Sequence, residues 1–142
     1  MIKQRELVVK EARSWIGTPY HHMGRKKGIG VDCGMLPLEV YKFAGVMPHV
    51  DVAYYPPDWS LHRGTERYLE IVKTYCNPVN KPLPGDLAVY QNGRCIGHGA
   101  IVVDEGLLIH AVINQGVVYL DCQDNIWFKK FKGWYRPKAW CL

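Results

Sequence analysis

His98-Gly99-Ala100-Ile101-Val102-Val103-Asp104-Glu105-Gly106-Leu107-Leu108-Ile109-His110-Ala111-Val112 sets two apolar, β-branched runs on either side of an acidic turn that ends in glycine. That is the pattern of an antiparallel hairpin. With Asp104-Glu105-Gly106 as a three-residue loop and Gly106 left-handed, Val103 pairs with Leu107 and His98 faces Val112. His110 is then the same-face diagonal neighbour of His98, at about 7–8 Å between backbones, so the two imidazoles can meet.

Outward from the hairpin the same pattern repeats. Residues 86–90 and 117–120 are short Val/Leu/Tyr runs bounded by Asn92-Gly93 and Asn114-Gln115-Gly116, so the second half of the chain reads as an antiparallel meander. The first half has a different period. Residues 3–16 place Leu7, Val8, Ala12, Trp15 and Ile16 among charges at helical spacing, stopped by Gly17-Thr18-Pro19. Leu36, Val40, Tyr41, Phe43 and Ala44 predict a second helix closed by Gly45, and Leu69, Ile71, Val72 and Tyr75 a third over 65–76, ahead of Pro78. Residues 46–64 are rich in Pro, His and aromatics without a period, an irregular loop able to wall a cleft. Helices first and strands second predict an α+β domain, N-terminal helices packed on a C-terminal antiparallel sheet. The length suits one domain over residues 1–142.

Composition narrows the function classes. A hydrophobic share of 48% with 22% charged residues excludes a long disordered or fibrous chain. The net charge of +5 favours an anionic partner. Apart from Arg25-Lys26-Lys27 and Lys129-Lys130 the basic residues are scattered, without the aromatic interleaving of a nucleic-acid site, so no nucleic acid is expected. The first fifteen residues interleave charges with Leu7, Val8 and Val9, unlike a signal peptide, and no run reaches membrane-spanning length. The expectation is a chain made in the cytoplasm, with no membrane span. Cysteines 33, 76, 95, 122 and 141 include no C-x-x-C pair, so neither a disulfide framework nor a zinc ribbon is expected.

Chemistry concentrates at three residues. Cys33 follows Asp32 at or just before the second helix, where Asp32 can cap and helix amides favour a thiolate. A free cysteine is more often one more small apolar core residue, and Cys76, Cys95, Cys122 and Cys141 belong to that class. Of six histidines only His98 and His110 fall on strand segments. One nitrogen of His98 can meet Cys33 while the other is held by His110, a nucleophile, base and orienter. Zinc on these three ranks lower, because no close-spaced ligand pair such as H-E-x-x-H is present, so no metal is expected. Pro37 complicates the helix head: it removes a donor and disfavours helical geometry at Leu36. The first turn is therefore distorted, or the regular helix begins at Pro37.

Gly17-Thr18-Pro19-Tyr20, Val31-Asp32-Cys33, Pro84-Gly85-Asp86-Leu87, His98-Gly99-Ala100-Ile101-Val102 and Ile109-His110-Ala111 occur in the order found in the NlpC-type cell-wall cysteine peptidases, which the chain resembles over almost its whole length. Tyr55-Pro56-Pro57-Asp58-Trp59, His62 and Glu66-Arg67-Tyr68-Leu69 look most like the branch carried on phage tails and gene-transfer agents. The resemblance implies a compact papain-like core, with Cys33 as nucleophile, His98 as base, His110 as third polar residue and Tyr20 holding the thiolate or oxyanion. It implies hydrolysis of the peptidoglycan stem peptide between D-glutamate and a diamino acid, no cofactor, and tail proteins as possible partners, with action in the periplasm or wall. Gly34-Met35 departs from the family pattern, which has a glycine where Met35 stands. That departure and Pro37 motivate an alternative, a catalytically silent tail component of the same fold. An amidase or acyltransferase acting on another substrate is a further alternative.

Overall fold

The computed structural model describes residues 2–55 and 67–141. Helix α1 spans Ile2–Ser14, and two short strands, β1 (Arg25–Lys26) and β2 (Gly30–Val31), form a small ribbon. Helix α2 spans Met35–Phe43 and α3 spans Arg67–Tyr75. Six strands follow: β3 (Cys76–Val79), β4 (Leu87–Asn92), β5 (Cys95–Asp104), β6 (Leu107–Val112), β7 (Gly116–Asp121) and β8 (Phe131–Pro137), with a one-turn helix α4 (Asn125–Phe128) before the last. They form one antiparallel sheet in the order β3-β8-β4-β5-β6-β7.

The alternation along the strands builds two apolar layers. Leu87, Val89, Ile101, Val103, Ile109, Ala111 and Val117 face the helices and bury against Val8, Ala12, Leu36, Val40 and Tyr41. Ala88, Tyr90, Ala100, Val102, Leu108 and Leu120 face the other way, under Trp127, Phe131 and Trp134. Each fully buried Val, Leu or Ile contributes about 1.5–3 kcal/mol, so the larger first layer holds the helices to the sheet.

The hairpin register is as the sequence predicts, Ile101 opposite Ile109 and Val102 opposite Leu108. Its turn is one residue tighter than expected. Asp104 pairs with Leu107, Val103 takes up the slack as a bulge, and Gly106 is left-handed with φ 70°. Strands β3 and β8 were not expected. Pro78 reads as a stop, yet β3 is the edge strand, where a missing N–H costs no ladder bond. Residues 46–55 form no regular element. The remainder of that loop, with Pro56-Pro57-Asp58-Trp59 and His62, lies outside the described residues, as do Thr65 and Glu66 at the start of the expected third helix. The helix expected over 65–76 is observed from Arg67 to Tyr75, with Cys76 opening β3. No described helix is long and apolar enough to cross a membrane.

Two motifs tie the helical half to the sheet. Asp86, fully buried, pairs with Arg5 of α1 at 3.0 Å and Arg136 of β8 at 2.9 Å, and accepts the Leu83 amide at 2.8 Å. Gly17 and Thr18 exchange backbone hydrogen bonds with Val117 of β7. Gly116 has φ 78°, and a Cβ there would lie 2.6 Å from the Thr18 carbonyl oxygen, so only glycine permits this approach. The contact fixes the segment that delivers Tyr20.

Candidate active site

Cys33 sits in the turn between β2 and α2. Tyr20 bridges to Val31, and Val31 donates to the Pro19 carbonyl at 3.1 Å, so the Tyr20 segment runs beside the strand that ends at Asp32. Asp32 is buried and organises the helix head: Oδ1 accepts from the amides of Gly34 at 3.1 Å and Met35 at 2.9 Å. Its Oδ2 accepts from the Met23 amide at 2.8 Å and from the Tyr55 hydroxyl. The Gly34 and Met35 amides are orphan N–H groups of a helix start, here satisfied by a side chain two residues upstream of the N-cap Gly34.

Of the two expectations for the helix head, that of a helix beginning at Pro37 is corrected. The regular helix begins at Met35, and Pro37 occupies its third position. Leu36 already donates to the Asp32 carbonyl four residues back at 3.1 Å, and Pro37 withholds the next bond of that series, to the Cys33 carbonyl, so the first turn is interrupted there. Cys33 lies two residues before Met35, just ahead of the regular helix as expected.

The half-buried thiol opens on a cleft of about 290 Å³, whose lining includes Tyr20, Asp32, Tyr55, Tyr68 and Met35. Burial, then the Asp32 carboxylate, push the Cys33 thiol up to about 12. The Tyr20 side chain and the amides of Cys33 and Gly34 oppose that rise without reversing it. Burial, then Cys33 and Asp32, raise the Tyr20 phenol. In this state the sulfur is a neutral thiol, and it donates to the Gly97 carbonyl of β5 at 3.4 Å.

His98 is the next residue along β5. It is 3% exposed, and its Nε2 lies 2.8 Å from Nδ1 of His110 on β6, the juxtaposition the hairpin register predicts. Trp127 of α4 stacks on the His98 ring with centroids 4.2 Å apart, and Tyr90 stands edge-on to it. Burial lowers His98 well below the usual imidazole range, with His110 and Lys130 adding to it. Burial lowers His110 to about 4, against a partial pull from Asp124. Both rings are neutral near pH 7, so one donates and the other accepts in their shared bond.

The geometry does not bring the four expected residues together: they form two pairs, with the histidine side chains on the sheet face away from the helices and the sulfur. Tyr20 and Cys33 share the cleft, while His98 and His110 share a buried aromatic pocket and do not line it. Among the described residues no hydrogen bond joins Cys33 to His98, and the Gly97 carbonyl links the two places. Tyr55 and Trp127 were not read as site residues. Tyr55 stood in an aperiodic loop, and Trp127 lies on a single turn too short to show a period.

All five cysteines are free, and Cys76 and Cys95 are buried as expected, while Cys122 and Cys141 are half-buried. No cluster of three or more His, Cys, Asp or Glu capable of holding a metal ion occurs among the described residues.

A cysteine at the head of a helix packed on an antiparallel sheet, with paired histidines on neighbouring strands, defines a compact papain-like α+β domain. The chain belongs to the NlpC/P60 family, which matches residues 17–136. Its fold is similar to the NlpC/p60 domain of the peptidoglycan hydrolase SagA, at 21% identity and TM-score 0.60, covering 92% of this chain and 96% of that one. It is also similar to an NLP/P60-family protein described as similar to lipoprotein from Staphylococcus aureus, at 21% identity and TM-score 0.66, covering 94% of this chain but 41% of that one. RipD from Mycobacterium tuberculosis, described as a non-catalytic NlpC/p60 domain protein adapted to peptidoglycan binding, matches at 18% identity and TM-score 0.60, over 93% of this chain and 95% of that one. No curated protein matches the chain significantly. The family is generally one of peptidoglycan hydrolases, with at least one non-catalytic member.

Proposed function

We propose that the protein is a cysteine endopeptidase of peptidoglycan stem peptides, with Cys33 as nucleophile, His98 as base, His110 as orienter and Tyr20 as oxyanion partner. The observation that carries this reading is the Cys33 thiol, opening on a cleft beside Tyr20 while hydrogen-bonded to the carbonyl that precedes His98. Because Nε2 of His98 is engaged by His110, Nδ1 is the nitrogen left to take the thiol proton. The His98 side chain lies on the sheet face away from the sulfur. In this reading it turns from its pocket to the cleft, where the thiol gives up its Gly97 bond and loses its proton to Nδ1, and the thiolate attacks the scissile carbonyl carbon. The oxyanion is held by the Cys33 amide and the Tyr20 hydroxyl. Collapse expels the amine, protonated by His98, and water then hydrolyses the thioester with His98 again as base.

The bond we assign is that between D-glutamate and the diamino acid, and the setting a phage-tail or gene-transfer-agent particle. Both rest on the sequence resemblance. Digestion of chemically defined peptidoglycan, with mass spectrometry of the fragments, tests activity and bond together. The wild-type chain should release peptides cut at that bond, and Cys33→Ala should release none while remaining folded. Release by Cys33→Ala sinks the assignment.

A second reading is favoured by one observation, the neutral thiol with, among the described residues, no hydrogen bond to an imidazole. It is a wall-binding or tail component that does not turn over. Sedimentation with purified peptidoglycan, in the absence of any fragment release by the wild type, would establish it.

A further inference from the structure

Tyr55 stands outside the nucleophile, base and orienter set, yet it is held at both ends. Its carbonyl oxygen lies 2.6 Å from Nε2 of His22, and its ring stands edge-on to the same imidazole with centroids 4.9 Å apart. Its hydroxyl donates to Oδ2 of Asp32. The loop that carries it is pinned further back by Arg25, which donates to the Val50 carbonyl at 2.7 Å and pairs with Glu39 of α2 at 2.8 Å. Asp32 in turn holds the amides of Met23, Gly34 and Met35. One phenol hydroxyl thus ties the far wall of the cleft to the carboxylate beside the sulfur.

We propose that Tyr55 is a positioning residue of the Cys33 site: through Asp32 it fixes the backbone around the sulfur and tempers the charge of a carboxylate adjacent to it. The consequence for turnover rests on Cys33 being the nucleophile. The effect on the thiol itself does not.

Among the described residues the ionisable groups that face Cys33 are Asp32, Tyr20, Tyr55 and Tyr68, with the Gly97 carbonyl reaching it from β5. Tyr20, Tyr55 and Tyr68 are all held neutral, chiefly by burial, which leaves Asp32 as the charge that acts on the sulfur. A carboxylate that gives up one charge-assisted hydrogen bond projects more of its field onto its neighbours. Tyr55→Phe removes only the hydroxyl and keeps the ring against His22. The thiolate should then become harder to form.

The test is the rate of iodoacetamide alkylation of Cys33, located by peptide mapping, on the full chain between pH 7 and 10. Throughout that range the reactive fraction rises tenfold per pH unit, so a thiol shifted up by about one unit reacts about tenfold more slowly at every pH. Tyr55→Phe should show that slowing, and Asp32→Asn added to it should restore the wild-type rate or exceed it. A merely structural role has the opposite sign, because a loosened wall exposes the thiol and speeds alkylation. An unchanged or faster rate in Tyr55→Phe overturns the proposal, whatever becomes of the double variant. Slower alkylation in Tyr55→Phe, together with a wild-type chain that releases no peptide, would keep Tyr55 in this role and remove the peptidase reading instead.

Discussion

Nε2 of His98 lies 2.8 Å from Nδ1 of His110, and Trp127 closes over the pair. Every member of this group is on or beside the hairpin of β5 and β6, so its geometry is set by strand register rather than by a loop. If His98 is the base, its loss should lower kcat for peptide release by about 10²–10⁴-fold, the usual worth of a positioned acid–base group. His110 acts through His98 and should matter in a graded way. His110→Asn retains an amide able to engage Nε2 and should lose less than His110→Ala. Steady-state release assays on the three variants decide this, and equal losses for Asn and Ala would remove the orienter role.

The same burial predicts acid lability. A histidine whose folded value lies below its unfolded one contributes stability that is present above pH 6.5 and lost as pH falls through the folded value. For His110 that window runs from 6.5 down to about 4 and corresponds to about 3 kcal/mol. His98 shifts in the same direction and shares the window's upper edge. Urea midpoints should therefore fall steeply between pH 6.5 and 4. His110→Asn should flatten the slope, and an unaltered slope in that variant would mean that other groups govern the acid transition.

The hairpin was legible because a two-residue period and a glycine-ended acidic turn determine both pairing and side-chain face. Asp32 as a cap and Gly45 as a helix stop were legible for the same local reason, and Gly45 indeed has φ 72°. What escaped is tertiary. Pro78 looks like a terminator until it is known to lie on a sheet edge, and the FKGWYRP segment of β8 follows a one-turn helix that shows no period. The separation of the Cys33 cleft from the histidine pocket was also invisible. The sequence brings the two together by motif, while the thiol's actual hydrogen-bond partner is a backbone carbonyl, which no residue type advertises.

Asp86 belongs to the motif Pro84-Gly85-Asp86-Leu87, and its contacts are structural. Its carboxylate is fully buried between Arg5 and Arg136, joining α1 to β8 across the edge of the sheet. Removing one partner of a buried ion pair typically costs about 3–5 kcal/mol. Because Arg5 and Arg136 keep some contact with solvent, Asp86→Ala should fall near the lower end, about 3 kcal/mol, in chemical denaturation. Alkylation of Cys33 in the folded variant should keep its wild-type pH dependence. A shifted dependence would place Asp86 in the electrostatics of the site.

Pro37 offers the sharpest test of how the helix head is built. Gly34 and Met35 give their amides to the Asp32 side chain, and Leu36 gives its own to the Asp32 carbonyl at 3.1 Å. Residue 37 comes next, and an N–H there would have the Cys33 carbonyl, four residues back, as its acceptor. Alanine there gives the Cys33 carbonyl a donor, but it removes buried ring carbons and gives the unfolded chain more freedom, two losses that outweigh one net hydrogen bond. Pro37→Ala should therefore destabilise the fold by about 1 kcal/mol in chemical denaturation, and the Cys33 alkylation rate should stay within about twofold of wild type. A strained proline would behave in the opposite way. Relief of strain would stabilise the variant and reposition the Cys33 and Gly34 amides that oppose the thiol's upward shift, changing the alkylation rate at fixed pH. The two measurements together separate a proline that fits the first turn from one that distorts it.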